Sequence, residues 1–257
     1  MPKLRQLVIL LFLIVCLIVF LFSIKINSQS APETADDQIA DWIMMKVIEK
    51  SIENERVKRQ YVTYDKYQIT EDLTKNPPEI KRETFNVYGE NGLSVEKKVE
   101  VDGKPVRERG KPSGIDFSAT LADKYMPRMN FRKVREEIID GRGYFVITFE
   151  PNAPPDKLPS EDLYDKGINR STGILYVDME KFYVRRFESK ITEGFSAYLF
   201  GQAEDFQLFV EQEEKFGVVV PKQVVYMVRG SFLWIKHHER KSSTYGNHKD
   251  LRNPAVQ

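Results

Sequence analysis

The hydrophobic and polar positions follow three successive patterns along the chain. Residues 7–22 are apolar and uncharged without interruption. In residues 39–52, apolar side chains recur with the period of an amphipathic helix, and acidic residues precede them, where a helix dipole favours negative charge. From residue 57 onward the period shortens toward 2, the period of a strand with one buried face. The chain therefore predicts an apolar leader, one long helix ending near residues 56–59, and a series of strands.

Short turns divide the strand region into antiparallel hairpins. Turns at residues 89–92, 140–143 and 178–181 each separate two runs in which apolar and polar residues alternate. The clearest alternation covers residues 93–101, for which we expect an apolar buried face and a charged, solvated outer face. In the first strand after the helix, Tyr61, Thr63, Tyr67 and Ile69 fall on one parity. Three further strands are expected at residues 204–216, 222–230 and 232–241.

Two stretches interrupt the strand pattern. Residues 106–130 open with charged residues, glycines and prolines, and predict a short helix at residues 117–125. Residues 151–172 predict a long loop, of the kind that is usually functional or disordered in a compact domain. With many antiparallel strands and two helical segments, the expected fold class is α+β: a strongly curved antiparallel sheet that forms an incomplete half-barrel, with helices on its concave side.

The apolar leader predicts export across a membrane. Lys3 and Arg5 precede it, and because basic residues stay on the cytoplasmic side, the rest of the chain is expected outside the cytoplasm. Residues 1–30 are expected to be either a signal peptide or an N-terminal membrane anchor, and residues 31–257 to form a single domain. The one cysteine lies in the leader, so the exported domain would contain no disulfide.

Composition and motifs narrow the classes of function. The chain has 39 basic and 38 acidic side chains, and the leader contains only basic ones, so the exported domain is slightly acidic and a nucleic-acid partner is not expected. The sequence lacks the motifs of phosphate-binding loops, serine hydrolases and zinc proteases. His237 and His238 would point to opposite faces of a strand, and His248 lies in a predicted polar tail. We therefore expect no catalytic residues, no metal site and no cofactor.

Large apolar side chains on the strands remain as candidates for function. Many of them share strand parities, so they would line one concave face. Such a face is either an ordinary core or the wall of an apolar cavity for acyl chains. The candidate lining residues are Trp42, Phe85, Phe149, Phe182, Phe206, Leu208, Tyr226 and Trp234.

The order of several segments is similar to that of a known family. The segments that carry the likeness are Tyr-Val-Thr-Tyr at residues 61–64, Phe-Asn-Val-Tyr at 85–88, Val-Asp-Gly-Lys-Pro at 101–105, Gly-Arg-Gly-Tyr-Phe-Val-Ile-Thr-Phe-Glu-Pro at 141–151, Gly-Ile-Leu-Tyr-Val-Asp at 173–178 and Val-Pro-Lys at 220–222. This order resembles that of bacterial envelope proteins related to the outer-membrane lipoprotein-sorting (LolA/LolB-like) family. The resemblance implies a half-barrel whose concave face holds lipid in the carriers and serves sensing in related envelope-stress regulators.

These observations predict a non-enzymatic protein of the periplasm or cell envelope. Its expected partner is a lipid acyl chain or a lipoprotein in the apolar hollow, with a role in lipoprotein or lipid trafficking, and the leader is its expected link to the membrane. The alternative is a membrane-tethered periplasmic sensor or scaffold whose sheet binds a protein partner.

Overall fold

Helix α1 (Ala35–Tyr61) opens the part of the chain that the computed structural model describes, which comprises residues 35–112, 120–197 and 201–252. Its first turn is acidic and its last turn basic, so the charges at both ends complement the helix dipole. The buried face has the helical spacing and consists of Ala40, Ile43, Met44 and Val47. The predicted helix is confirmed. The predicted leader of residues 1–30 lies outside the described residues, and none of the described helices is long and apolar enough to cross a membrane.

Thirteen strands form one antiparallel sheet in the described residues. They are β1 (Val62–Asp72), β2 (Glu79–Glu90), β3 (Leu93–Val101), β4 (Lys104–Pro105), β5 (Lys111–Pro112), β6 (Met129–Ile139), β7 (Arg142–Pro151), β8 (Ser171–Asp178), β9 (Val184–Ile191), β10 (Phe195–Ala197), β11 (Gly201–Lys215), β12 (Val218–Phe232) and β13 (Ile235–Asp250). Their spatial order is β4-β3-β2-β1-β13-β12-β11-β9-β8-β7-β6, with β5 paired to β3 and β10 to β11. The three predicted hairpins are confirmed as the pairs β2–β3, β6–β7 and β8–β9.

The sheet is open, and α1 packs on one of its faces. The side of the sheet that ends in β4 and the side that ends in β6 do not pair with each other. Near its start α1 lies against β6, where Asp37 accepts a hydrogen bond from Arg132 at 3.1 Å. Near its end it lies against β12, where the Asn54 side chain bonds the backbone N–H and C=O of Val219 at 2.7 and 2.8 Å. We call the face that carries α1 the inner face. The expected fold class, an open half-barrel with a helix on its concave side, is confirmed.

Two hydrophobic clusters fill part of the inner face. The larger one joins α1 to strands β6–β9, and within it Phe149 stacks on Phe187 with ring centroids 5.5 Å apart while Tyr125 meets both rings edge-on. The smaller one lies between the end of α1 and strands β1, β2 and β12, and consists of Val62, Tyr64, Val87, Val218 and Val220. Phe206 and Tyr226 belong to neither cluster and stay partly exposed. The hollow of the half-barrel is therefore filled over one part and open over another.

The predicted loop of residues 151–172 contains a short helix, α2 (Leu163–Ile168). Asp162 caps α2 by accepting a hydrogen bond from the Asp165 N–H at 2.7 Å. The Asp165 carboxylate is fully buried and accepts hydrogen bonds from Lys124 and Arg128, each at 2.7 Å. Lys124 belongs to a π-helical turn, Leu121–Tyr125, at the described end of the helix predicted for residues 117–125. These long-range contacts are the reason that a six-residue helix forms where the sequence predicts only loop.

The end of the chain also differs from the prediction. The predicted strand at residues 232–241 is wrong in its limits, because Phe232 ends β12 and β13 begins only at Ile235. His248 does not lie in a polar tail: it belongs to β13, and its ring centroid is 5.4 Å from that of Tyr64. The reason is that β13 pairs with β1 and β12 along its length, and such pairing stabilises a strand whose own sequence is polar.

The faces of β1 and of the first part of β3 are the reverse of the predicted ones. Glu96 and Lys98 of β3 pair with Val87 and Phe85, so these two charged residues face inward and Val95 faces outward. Beyond a register shift, Val101 at the end of β3 pairs with Glu83 and faces inward. Likewise Gln68 of β1 is buried, whereas Tyr67 is 40% exposed. The outward Val95 is covered by the segment that contains β5, since a Cβ added to Gly110 would stand 2.5 Å from the Val95 side chain. The charged side chains of Glu96 and Lys98 are therefore directed into the hollow.

Candidate functional site

The inner face changes from apolar to polar between strands β12 and β13. In one cross-strand row, Leu208 of β11 pairs with Tyr226 of β12, Tyr226 with Lys241 of β13, and Lys241 with Thr70 of β1. The neighbouring row follows the same order and consists of Val210, Val224, Ser243, Gln68 and Glu83. Because cross-strand partners lie on the same face of a sheet, one continuous surface has an apolar half and a polar half.

The apolar half, which we call the apolar strip, consists of Phe206, Leu208 and Tyr226. All three side chains are partly exposed, and the rings of Phe206 and Tyr226 stack with centroids 6.4 Å apart. Leu208 also packs against the larger core cluster, so the strip continues from the core toward solvent. Val210, Val224 and Val228 of β11 and β12 adjoin it on the same face, and the strip therefore offers a surface to apolar groups.

The polar half is held by ion pairs with little exposure. The Glu83 side chain is only 8% exposed and lies 3.0 Å from the Lys81 ammonium and 2.9 Å from that of Lys98, while Gln68 Nε2 donates to it at 3.1 Å. Burial alone would raise the pKa of Glu83, but the hydrogen bonds and charges of Lys98 and Lys81 outweigh burial and lower it. Glu83 is therefore a charged, fixed part of the inner face.

Lys241 lies at the border between the two halves. Its ammonium is 5.2 Å from the centroid of the Tyr226 ring and 3.5 Å from the Glu239 carboxylate. Burial would lower the pKa of Lys241, but the hydrogen bond to Tyr226 and the charge of Glu239 outweigh burial and raise it. A positive charge therefore stands beside the apolar strip, where it can meet an anionic group whose apolar part lies on the strip.

The structure places the eight predicted residues in several locations. Phe206, Leu208 and Tyr226 lie together in the apolar strip. Trp42 contacts Phe182 edge-on at 5.4 Å near the start of α1. Binding by any of the eight residues stays a prediction.

The other predicted residues lie apart from the strip. Phe149 is 3% exposed and belongs to the filled core. Phe85 lies in the polar half, with the Lys66 and Lys98 ammonium groups 4.9 and 5.7 Å from its ring centroid. Trp234 is 92% exposed in the turn between β12 and β13. The missed members of the surface are Lys241, Gln68 and Glu83. Their signal in the sequence is a parity shared with an inner-face residue of the same strand, which is Tyr245 for Lys241, Tyr64 for Gln68 and Val87 for Glu83.

Several cavities open on the surface of the described residues. One of about 230 Å³ lies between α1 and the β11–β12 turn and is lined largely by polar residues. Another of about 700 Å³ lies on the outer face, where its apolar wall includes Ile174, Phe209, Val225 and Met227. The Arg186 guanidinium lies 5.2 Å from the centroid of the Phe209 ring. Neither cavity is an enclosed apolar pocket, and the apolar strip itself is an open surface.

Metal-ligating side chains do not cluster in the described ranges. No group of three or more His, Cys, Asp or Glu residues there could hold a metal ion. The buried Asp165 is bonded by Lys124 and Arg128, so it serves to fix α2.

Comparison with known proteins gives similarity in fold. No family model matches the sequence, and no curated protein matches it. A LolA superfamily protein from Nitrosomonas europaea is 13% identical, with 82% of this chain and 92% of that chain covered and a TM-score of 0.36. A domain assigned to outer membrane lipoprotein sorting, from Vibrio parahaemolyticus, is 9% identical over 80% of this chain and 93% of that chain, with a TM-score of 0.38. The matched chain of the Pseudomonas aeruginosa MucA/MucB complex is 11% identical over 81% of this chain and 94% of that chain, with a TM-score of 0.28.

Two of these relatives belong to the class of protein that the sequence resembles. Because the identities and TM-scores are low, the proposed function rests on the geometry of the inner face.

Proposed function

We propose that this protein is a non-enzymatic protein of the cell envelope that binds a lipid or a lipid-modified partner on the inner face of its half-barrel. The observation that supports the proposal is the change of polarity along one cross-strand row, in which Leu208 and Tyr226 are followed by Lys241. An amphiphile is divided in the same way, into an apolar chain and a polar head group. The chain would lie on the apolar strip, and an anionic head group would meet the Lys241 ammonium.

Burial of the acyl chain would supply most of the affinity. Each methylene group that leaves water contributes about 0.8 kcal/mol, so a contact with about six methylenes contributes roughly 5 kcal/mol before the cost of association. The apolar strip is open on one side, so a bound chain would keep part of its surface exposed. Such a site favours moderate affinity and release, which suits transfer or sensing of a lipid better than storage.

The leader supports a location in the envelope. Its apolar run behind Lys3 and Arg5 predicts export, and the inner face would then work in the periplasm. Retention of the leader would hold the protein at the inner membrane, while cleavage would release it.

The proposal is tested by identifying what copurifies with the full chain. Protein isolated from the envelope is examined by native mass spectrometry and by lipid extraction, in the natural form and as the variants Phe206→Gln and Phe209→Gln. Phe209 is the matched control, because it is a partly exposed phenylalanine of the same strand on the outer face. We expect a bound lipid in the natural form and in Phe209→Gln, and its loss in Phe206→Gln. Equal lipid content in all three forms, or none in any, would contradict the proposal.

A second candidate function is a membrane-tethered sensor or scaffold that binds a protein. The observation that favours it is the outer-face cavity of about 700 Å³, whose wall contains partly exposed Phe209, Val225 and Met227. Loss of a copurifying polypeptide in Phe209→Gln, with Phe206→Gln unchanged, would support this candidate. Mapping the N-terminus of the mature protein adds a test, because a tethered sensor must keep residues 7–24.

A further inference from the structure

The turn between β12 and β13 exposes four consecutive large apolar residues. Phe232 is 52% exposed, Leu233 39%, Trp234 92% and Ile235 73%. We call these residues the hairpin tip. Isolated apolar residues on a surface are ordinary, but a contiguous exposed patch marks a surface that meets another apolar phase or partner.

The turn itself does not explain these residues. Leu233 and Trp234 both have positive φ, of 47° and 67°, which is the conformation of hairpin turns that favour Asn and Gly. Four other turns of this sheet obey that preference at their second position, which is Gly92, Gly103, Gly141 or Gly217, each with positive φ. The chain therefore places bulky residues at the hairpin tip against the local backbone preference, and such departures concentrate at functional sites.

Basic side chains stand directly behind the hairpin tip. Lys236 pairs with Ser231, His237 with Gly230, and His238 with Arg229, so the last residues of β12 and the first residues of β13 carry no acid. On the adjoining β11, Asp205 pairs with Arg229 in register, and Glu204 forms an ion pair with Arg229 at 3.3 Å. Lys236 and His237 are exposed. The tip is thus apolar at its end, and the exposed Lys236 ammonium stands at its base.

We infer that the hairpin tip docks on a lipid bilayer that contains anionic head groups. The apolar end would enter the boundary between head groups and acyl chains, where Trp is the favoured residue, and Lys236 would meet lipid phosphates. This order of exposed apolar residues followed by a basic group matches the layers of a membrane surface. One hairpin tip buries little area, so the contact is reversible.

This docking surface adds a path to the proposed function without depending on it. Tyr226, Val228, Gly230 and Phe232 follow one another on the inner face of β12, which links the apolar strip to the hairpin tip over about 20 Å at roughly 3.3 Å per residue. A lipid that leaves the bilayer at the tip would reach the strip along this strand.

The test uses the position of Trp234 relative to lipid. Trp42 and Trp234 are the two tryptophans of the chain, so Trp42→Phe leaves Trp234 as the only one. The full chain is reconstituted into phosphatidylcholine vesicles with and without phosphatidylglycerol, and Trp fluorescence is measured with ordinary and brominated acyl chains. We expect a blue shift of Trp234 emission and its quenching by brominated chains, both stronger when phosphatidylglycerol is present and both reduced by Lys236→Glu.

A matched control separates docking from attachment through the leader. Ile138 is 78% exposed beside the β6–β7 turn, at the opposite end of the strands, and Ile138→Trp in a chain with Trp42→Phe and Trp234→Phe reports on that end. We expect its emission to stay unquenched. Unquenched Trp234, or equal quenching at both positions, would overturn the inference. Unquenched Trp234 is also the result expected if the tip binds a protein instead of lipid. Circular dichroism of each variant verifies that the fold is retained.

Discussion

Lys241 of β13 faces Tyr226 of β12 across the strand pair, with its ammonium 5.2 Å from the centroid of the Tyr226 ring. This contact marks the line at which the inner face changes from apolar to polar. On one side lie Phe206 and Leu208, and on the other the ion pairs of Glu83. A sheet whose hollow was simply filled with core residues would show no such border.

Removal of the Lys241 charge should weaken the binding of an anionic amphiphile. For Lys241→Gln we expect the Kd of lysophosphatidylglycerol to rise about tenfold, because a hydrogen bond to a charged group contributes about 1.5 kcal/mol. The control is Arg240→Gln, since Arg240 is the adjacent basic residue on the outer face and pairs with Glu71. Titration calorimetry measures both. Equal effects of the two substitutions would show that Lys241 has no special role.

Glu83 should stabilise the polar half of the inner face. Glu83→Gln removes a carboxylate of low exposure that lies 2.9 Å from Lys98 and 3.0 Å from Lys81, and it leaves Lys98 with the more distant Glu108 at 3.6 Å. We therefore expect the free energy of unfolding to fall by about 2 kcal/mol. Glu79→Gln is the control, because Glu79 is an exposed acid of the same strand. Urea unfolding that gives the same midpoint for both variants would contradict the assignment.

The Asp165 ion pairs should make stability depend on acid pH. Burial would raise the pKa of Asp165, but the hydrogen bonds from Arg128, Lys124 and the Glu161 backbone outweigh burial and lower it well below its ordinary value. A carboxylate with a lowered pKa in the folded state contributes stability that is complete above its unfolded pKa of about 3.9 and is lost as the pH falls below that value. Asp165→Asn should therefore reduce stability at pH 7 by about 3 kcal/mol and flatten the acid limb of the stability curve.

The control for Asp165 is Asp156→Asn, because Asp156 forms an ion pair with Lys157 in which both side chains are about 70% exposed. We expect this substitution to leave the acid limb unchanged. A parallel loss of the acid limb in both variants would assign the pH dependence to general charge effects.

The hairpin tip should make the folded protein less stable than a turn built from Asn and Gly would, because Leu233 and Trp234 both have positive φ. Replacement of Leu233-Trp234 by Asn-Gly supplies the residues that the turn conformation prefers, so we expect thermal unfolding to show a gain of about 1 kcal/mol. The same variant should lose the membrane contact inferred for the tip. A loss of stability would mean that the two side chains pack usefully in the folded protein.

The hairpins could be predicted from the sequence because their signals are local. Alternation over residues 93–101 and glycine-containing turns fix the pairing of neighbouring strands whatever lies around them. By contrast, the direction of each face depends on what covers it. Val95 faces outward because residues of the β5 segment cover it, and no local pattern reports that cover.

The candidate site was predictable only in its apolar half. Phe206, Leu208 and Tyr226 share a parity that indicates one surface, and the structure places them together. The polar half was missed, because charged residues on alternating positions indicate a solvated outer face in most sheets. Phe232 to Ile235 were read as strand for a related reason: large apolar residues favour strands, whereas here two of them form the turn.

Photocrosslinking from the apolar strip in cells tests most directly whether the inner face binds lipid. Benzoylphenylalanine is placed at position 206 or, as control, at position 209 of the full chain, and the crosslinked species are identified by mass spectrometry. We predict crosslinks to lipid or to a lipid-modified polypeptide from position 206 and none of these from position 209. Crosslinks from position 209 alone, or only an unmodified polypeptide at position 206, would contradict a lipid-binding inner face.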